Sequence, residues 1–330
     1  MRRLIVARCG WMAAVLLCLT LAVFGIQRSL PSDPVRTFFG RNASKELVAA
    51  KRHELGYDRP FFVQYGRFLR RLMRGDLGTS LHTRRPTVSD LADFLPATLE
   101  LATAAAVIAI AIAMTIAMVG VLRRRSGTAV RISAIVFSSA PTFLLGLGGI
   151  LLFYRRLGWL PAGGRTDNLS SGNGFVLLRA VAHLSPSAVW DAIRHLIMPA
   201  TALALAPGVA IGRTLRGSLL DVLGQEHVRT VRAGGLTEWA IVRRHALRNA
   251  LLPALAMGGL QIGLLLSGVV VVEVVFAWPG LGLYLNQAIR LADFPAVVGV
   301  VVMLGVVFVV VSAVVDILQV VANPRLRERA

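Results

Sequence analysis

Lysine is nearly absent from this chain, and acidic side chains number 17 against 36 basic ones. The two lysines are Lys45 and Lys51; the other 34 basic side chains are arginine. A phosphate-binding loop needs Gly-x-x-x-x-Gly-Lys-Ser/Thr, whose amides and lysine cradle phosphates. Neither lysine follows a glycine, so this chain carries no such loop. Cysteine occurs only as Cys9 and Cys18, with no Cys-x-x-Cys and no paired-histidine spacing, which removes support for redox and zinc chemistry. No Gly-x-Ser-x-Gly occurs, and the six histidines fall in loops or near the ends of apolar runs, so nothing argues for a nucleophilic hydrolase.

What is abundant is apolar: 55% of the residues are hydrophobic and only 16% charged, the composition of an integral membrane protein. A net charge of +19 would otherwise point to nucleic acid. In a membrane protein, basic loops hold the spans in orientation, and no nucleic-acid partner is expected. Crossing about 30 Å of hydrocarbon takes roughly 20 apolar residues in a helix. Six such runs are read at 10–28, 97–122, 132–153, 196–215, 254–276 and 296–321. The first has the basic head of a signal peptide but no small-x-small cleavage pattern, and is read as an uncleaved span. Pro199 and Pro207 in the fourth would each remove a backbone hydrogen bond and bend it. They either line a pathway or are simply tolerated in lipid.

Arginines place both termini in the cytoplasm: Arg2, Arg3 and Arg8; Arg123, Arg124, Arg125 and Arg131; and Arg325, Arg327 and Arg329 fall on one side of a six-span layout. Residues 1–95 are read as the first span plus an extracytoplasmic cap, which is also arginine-rich, and 96–330 as a five-helix core. Polar residues within spans are expensive and mark function by default. Glu100 and Glu273 sit near predicted ends and are read as interfacial, whereas Asp316 lies deeper. Gln261 is suited to a polar pathway or an interhelical hydrogen bond, and Gly258, Gly259, Gly263 and Gly268 permit close helix contact.

Residues 213–253 make a cytoplasmic connection long enough to be functional. A helix is expected to continue through "RTLRGSLLDVLGQEHVRTVRA", to break at Gly234 and Gly235, and to restart with Thr237 as cap and Glu238 in the first turn. The second helix would carry Trp239, Val242, Ala246 and Ala250 along one side, with Pro253 leading into the fifth span. Such an apolar and basic elbow is a shape for docking a soluble partner.

"VRTVRAGGLTEWAIVRRHALRNALLP", from Val228, resembles the signature loop of inner-membrane permease subunits of binding-protein-dependent ABC importers, in the dipeptide, oligopeptide and nickel branch. Gly235 falls on the loop's central glycine, and His245, Asn249 and Pro253 keep their spacing; Val231 replaces a usual alanine and Gly234 a frequent lysine. "LPSDPV", "LGYDRPFFVQYGRFL", "RGDLGTSL", "LPATLEL", "GWLPAGG", "VFAWPGLG" and "NPRLR" are similar to family segments in order, with Asn323 where aspartate is frequent. The resemblance implies an all-α, six-span permease of the bacterial inner membrane. Arg229, Thr230, Val231, Arg232, Ala233, Gly234, Gly235 and Leu236, with His245, Asn249 and Pro253 after them, would couple it to an ATPase. It further implies a second permease, two ATPase subunits or one fused ATPase, and an extracytoplasmic solute-binding protein. This chain would bind no cofactor itself, ATP and Mg being used by the ATPases. Peptides come first as substrate; nickel chelates, glutathione and other small solutes stay open. An ion-coupled secondary carrier, with sites near the midplane, is the rival of another class.

Overall fold

A computed structural model of the chain describes residues 2–29, 58–122, 138–166 and 174–322, with a few isolated positions between them. Every extended element there is helical; the one bridge is the isolated pair Thr79–Pro86. The helices are α1 (Arg2–Ser29), α2 (Phe61–Leu72), α3 (Thr87–Leu122), α4 (Thr142–Gly149), α5 (Val176–Ala182), α6 (Pro186–Leu223), α7 (Glu226–Ala233), α8 (Glu238–Ile241), α9 (Leu247–Val275), α10 (Leu281–Arg290) and α11 (Phe294–Ala322). Two wider π-helical stretches, Ile150–Arg156 and Val242–Ala246, continue α4 and join α8 to α9.

Four helical stretches among the described residues are long and apolar enough to cross a membrane: Thr87–Leu122, Pro186–Leu223, Glu238–Val275 and Phe294–Gln319. The first expected span corresponds to α1, whose apolar part, Gly10–Ile26, is shorter. The third, 132–153, lies partly outside the described residues and is represented by α4 and the stretch Ile150–Arg156. Among the described residues, four of the six expected runs are thus long apolar helices, and the other two fall on α1 and on α4 with Ile150–Arg156. "LPSDPV", "NPRLR" and the arginines at 123–125, 131 and 325–329 lie outside the described residues.

Helix ends differ more than helix identities. α3 starts ten residues before the expected 97, and α6 covers 186–223 rather than 196–215. At 1.5 Å per residue these helices are about 54 and 57 Å long, well beyond the hydrocarbon thickness. Pro96, Pro199, Pro207 and Pro253 all lie inside continuous helices. Pro253 therefore does not lead into the fifth long helix but sits two turns within it.

The chain forms two compact units, one made of 96–280 with 308–330 and the other of 2–95 with 281–307. In the first, α6 is central: 67% of its most apolar window is buried, against 17% for the stretch ending in α9. Small residues make this possible. A Cβ on Gly212 would come within 2.9 Å of the Ala113 Cα, and one on Gly208 within 3.0 Å of the Ala109 carbonyl oxygen, so α3 and α6 touch backbone to backbone. Gly268 on α9 likewise faces Leu203, where a Cβ would meet Cδ1 at 2.8 Å.

In the second unit, two buried carboxylates pin the turn after the Thr79 bridge. Asp293 accepts hydrogen bonds from Ser80 Oγ at 2.5 Å and from the His82 amide at 3.1 Å. Asp90 accepts from Thr83 Oγ1 at 2.5 Å and from the Tyr284 hydroxyl at 2.9 Å, while the Tyr284 ring stacks on Phe94 at 4.8 Å. Burial raises the Tyr284 phenol above its ordinary range near 10.0, and the hydrogen bond to Asp90 adds to the rise. The folded state thus favours the protonated phenol, so its contribution to stability is complete below pH 10 and is lost as pH rises above it. The alkaline fall in melting temperature should be shallower in Tyr284→Phe than in the wild type; parallel curves would refute this assignment.

Candidate functional site

The elbow between α6 and α9 is built from apolar residues placed to turn back on the helices that lead into it. α6 stops at Leu223, and Gly224 and Gln225 separate it from α7, so the expected uninterrupted helix is two pieces. α7 ends at Ala233. Gly235 follows with φ +82°, the left-handed region in which a side chain is strained. The Ala240 amide donates to the Thr237 Oγ1 at 3.4 Å, which caps α8 as expected. Arg232, on the last turn of α7, bridges to Glu238, on the first turn of α8, through Nε–Oε1 at 2.6 Å and a second nitrogen to Oε2 at 3.1 Å. That paired contact closes the corner around the two glycines.

Burial separates the elbow into an inner and an outer surface. Val228, Ile241, Val242, Ala246 and Ala250 are fully buried with Leu215 and Leu219 of α6 and Ala117 of α3. Arg229, Thr230, Arg232, Ala233, Gly234, Gly235, Leu236 and Trp239 are exposed, and Val231 is half-buried. Trp239, at 53% exposure, is not on the buried side where helical spacing placed it; Ile241 takes that role. Val242, Ala246, Ala250 and Ala254 recur every fourth residue, which overshoots an α-helical turn by roughly 40° per step. The wider i→i+5 turn of Val242–Ala246 counters that drift and keeps all four on one face.

The remaining positions lie farther along the long helices. Asn249 is exposed, and its Nδ2 donates to the His245 carbonyl at 3.5 Å; Pro253 is exposed on α9. Gln261 is half-buried with Nε2 3.7 Å from Met257 Sδ, and Asp316 is half-buried on α11 with an interaction partner. Pro199 and Pro207 are buried in α6. Among the described residues, no group of three or more His, Cys, Asp and Glu is placed to hold a metal ion.

Residues 108–328 match the family described as binding-protein-dependent transport system inner membrane component, and residues 1–102 match the N-terminal region of such membrane components. The chain belongs to this family. It is 40% identical over 325 residues to the probable D,D-dipeptide transport system permease protein DdpB of Escherichia coli (strain K12), covering 97% of this chain and 96% of the relative. It is 35% identical to the dipeptide transport system permease protein DppB of Alkalihalophilus pseudofirmus, covering 99% and 98%. To the di/tripeptide transport system permease protein DppB of Pseudomonas aeruginosa it is 38% identical, covering 98% of each. It is a multi-pass inner-membrane permease subunit, and the family's mode of transport implies a solute-binding protein and an ATPase as partners.

A second polar assembly of the permease went unrecognised in the sequence. Glu100 and Glu273, read as interfacial, are both buried and partnered. Glu100 pairs with Arg165 and accepts the Leu177 amide of α5 at 2.6 Å. Arg165 also donates to the Gly174 carbonyl at 2.8 Å and lies 5.7 Å from the ring centroid of Trp278. The Trp278 indole donates to the Ala97 carbonyl at 2.9 Å, and Thr98 Oγ1 donates to Glu273 at 2.7 Å. Gly164 donates its amide to the Phe276 carbonyl at 2.9 Å. The segments "GWLPAGG", "LPATLEL" and "VFAWPGLG", far apart in the chain, thus meet at one place.

Two outcomes are expected. Gly235 has open space where a Cβ would sit, so substitution there acts through φ alone. Gly235→Val should open the elbow to trypsin about tenfold faster than Gly235→Asn, since asparagine tolerates the left-handed region and roughly 1.4 kcal/mol is a factor of ten. Equal cleavage rates would contradict that. Arg165→Ala, which strands a buried carboxylate, should cost roughly 3–5 kcal/mol, whereas Glu100→Gln with Arg165→Met should cost distinctly less. Thermal unfolding in detergent distinguishes them, and a double variant as unstable as the single would sink the ion-pair account.

Proposed function

We propose that this chain is the permease subunit of an ATP-driven importer that carries dipeptides or oligopeptides handed over by the solute-binding protein. The single observation that carries the mechanism is the division of the elbow into a buried footing and an outward face. Because Val228, Ile241 and Val242 are locked against α3 and α6, force applied to the exposed face is transmitted to long helices rather than absorbed by a loop. The outward face offers Leu236 and Trp239 as apolar anchors among Arg229, Arg232 and Arg243. Tryptophan and arginine are the residue types that dominate protein-docking hot spots.

In this reading the ATPase seats on the elbow from the cytoplasm, where both termini also lie. Two ATPase subunits, or one fused ATPase, bind and hydrolyse Mg–ATP, and a second homologous permease completes the pathway. Closure of the ATPases draws the elbows together and biases the spans between inward-open and outward-open states. Substrate class rests on the relatives named for dipeptide and di/tripeptide transport, each matched over nearly its whole length.

Reconstitution of the permease with its partners, followed by ATP hydrolysis with and without peptide-loaded binding protein, tests the proposal. Stimulation is expected, with a loss of about tenfold in Gly235→Val and weaker ATPase co-purification in Leu236→Asp while both variants still insert. Uptake driven by an ion gradient without ATP would overturn the importer reading; stimulation by another solute alone would overturn only the peptide assignment.

A further inference from the structure

Helix α2 presents three faces rather than two. Tyr65, Phe68, Leu69 and Leu72 form an apolar cluster with Val23 and Phe24 of α1 and Val298 and Val302 of α11. The Phe24 ring stacks on Phe68 at 5.7 Å and meets Phe61 edge-on at 5.5 Å. Thr20 Oγ1 lies 2.9 Å from the Tyr65 hydroxyl, which donates to the Leu17 carbonyl at 3.1 Å. These contacts hold α2 beside the C-terminal half of α1, whose Leu17, Leu21 and Ile26 stay exposed as a membrane-facing surface.

The second face is apolar and exposed. Phe62 and Met73, spaced eleven residues apart on one flank, are 80% and 81% exposed. The third face is cationic: Arg67, Arg70, Arg71 and Arg74 recur at i, i+3, i+4 and i+7, all exposed. No acidic residue lies within Phe61–Leu72, and none of the four arginines forms an ion pair among the described residues. The acids on either side are engaged locally, Asp58 with His53 Nδ1 at 2.6 Å and Asp76 with the Gly78 amide at 2.8 Å.

We infer that α2 is an interfacial helix whose arginine face binds anionic phospholipid headgroups of the leaflet at the C-terminal end of α1. Phe62 and Met73 enter the acyl region beside α1, and the arginines reach up to the phosphates. A water-exposed docking face would carry the charge but has no use for an exposed apolar flank on a helix packed beside α1. Each arginine at such a surface contributes about fivefold in affinity for anionic lipid. The same contact gives a physical reason for an arginine-rich segment on the side read as extracytoplasmic, yet it holds for either leaflet and does not depend on what the permease carries.

The test uses the full chain in nanodiscs of phosphatidylcholine mixed with phosphatidylglycerol. Native mass spectrometry of co-purifying lipid should show phosphatidylglycerol enrichment that falls about fivefold or more when Arg67, Arg70, Arg71 and Arg74 are all replaced by Gln, and that survives replacement by Lys. Lysine keeps the charge a lipid surface reads but not the planar fork a protein surface reads. In a chain with Cys9→Ser and Cys18→Ser, a fluorophore on Phe62→Cys or Met73→Cys should be quenched by acyl-chain nitroxides. These labels alter no charge, so they decide the question even if the Gln variant misfolds. Undiminished enrichment in the Gln variant, or quenching at both labelled positions by aqueous iodide instead, would overturn the inference and mark α2 as a face standing in water.

Discussion

The apolar footing of the elbow is the constraint on which the geometry of residues 213–253 depends. Val228, Ile241 and Val242 are buried against Leu215, Leu219 and Ala117, so a segment rich in arginine folds back onto the ends of α3 and α6. Each such aliphatic side chain contributes about 1.5–3 kcal/mol when removed from water. That is enough to hold two short helices which would be marginal alone. The Arg232–Glu238 pair is exposed and contributes little to stability, yet it fixes the angle at which the second helix leaves the first. Position and stability are thus supplied by different residues.

Close approach of α3 to α6 is the companion requirement. Gly208 and Gly212 bring the helix backbones together, and α6 contacts α9, α4 and α5 as well. Without a hydrophobic driving force between helices in lipid, such small-residue contacts supply the association through van der Waals packing. The buried carboxylates act at a different level. Glu100 and Glu273 in one unit, and Asp90 and Asp293 in the other, each accept specific hydrogen bonds and thereby position loops and turns. Their burial is tolerable because each has partners.

Local chemistry was readable in the sequence wherever a short segment determines its own conformation. Gly235 adopts the left-handed backbone, Thr237 caps the helix after it, and Glu238 occupies the first turn, all set by a few adjacent residues. The long apolar runs are likewise legible because lipid requires each to satisfy its own backbone. Failures cluster where distant residues decide. Trp239 has the spacing of a buried residue but is exposed, while Ile241 fills the footing. Gly224 and Gln225 interrupt a pattern that propensity alone carried through. Pro253 sits inside a helix that already begins at Leu247, with Ala250 packed into the footing.

What the sequence by itself determined is the all-α membrane class, the place and corner of the elbow, and the family. These follow from hydropathy, local turn chemistry and ordered motifs. Only the tertiary structure decided which face of the elbow is footing and which is free, and that Glu100 meets an arginine 65 residues away with Trp278 beside it. It also set the three-faced surroundings of α2. The reason is the same in each case: burial belongs to a side chain's neighbours in space, and those neighbours come from segments whose separation along the chain carries no trace of their contact.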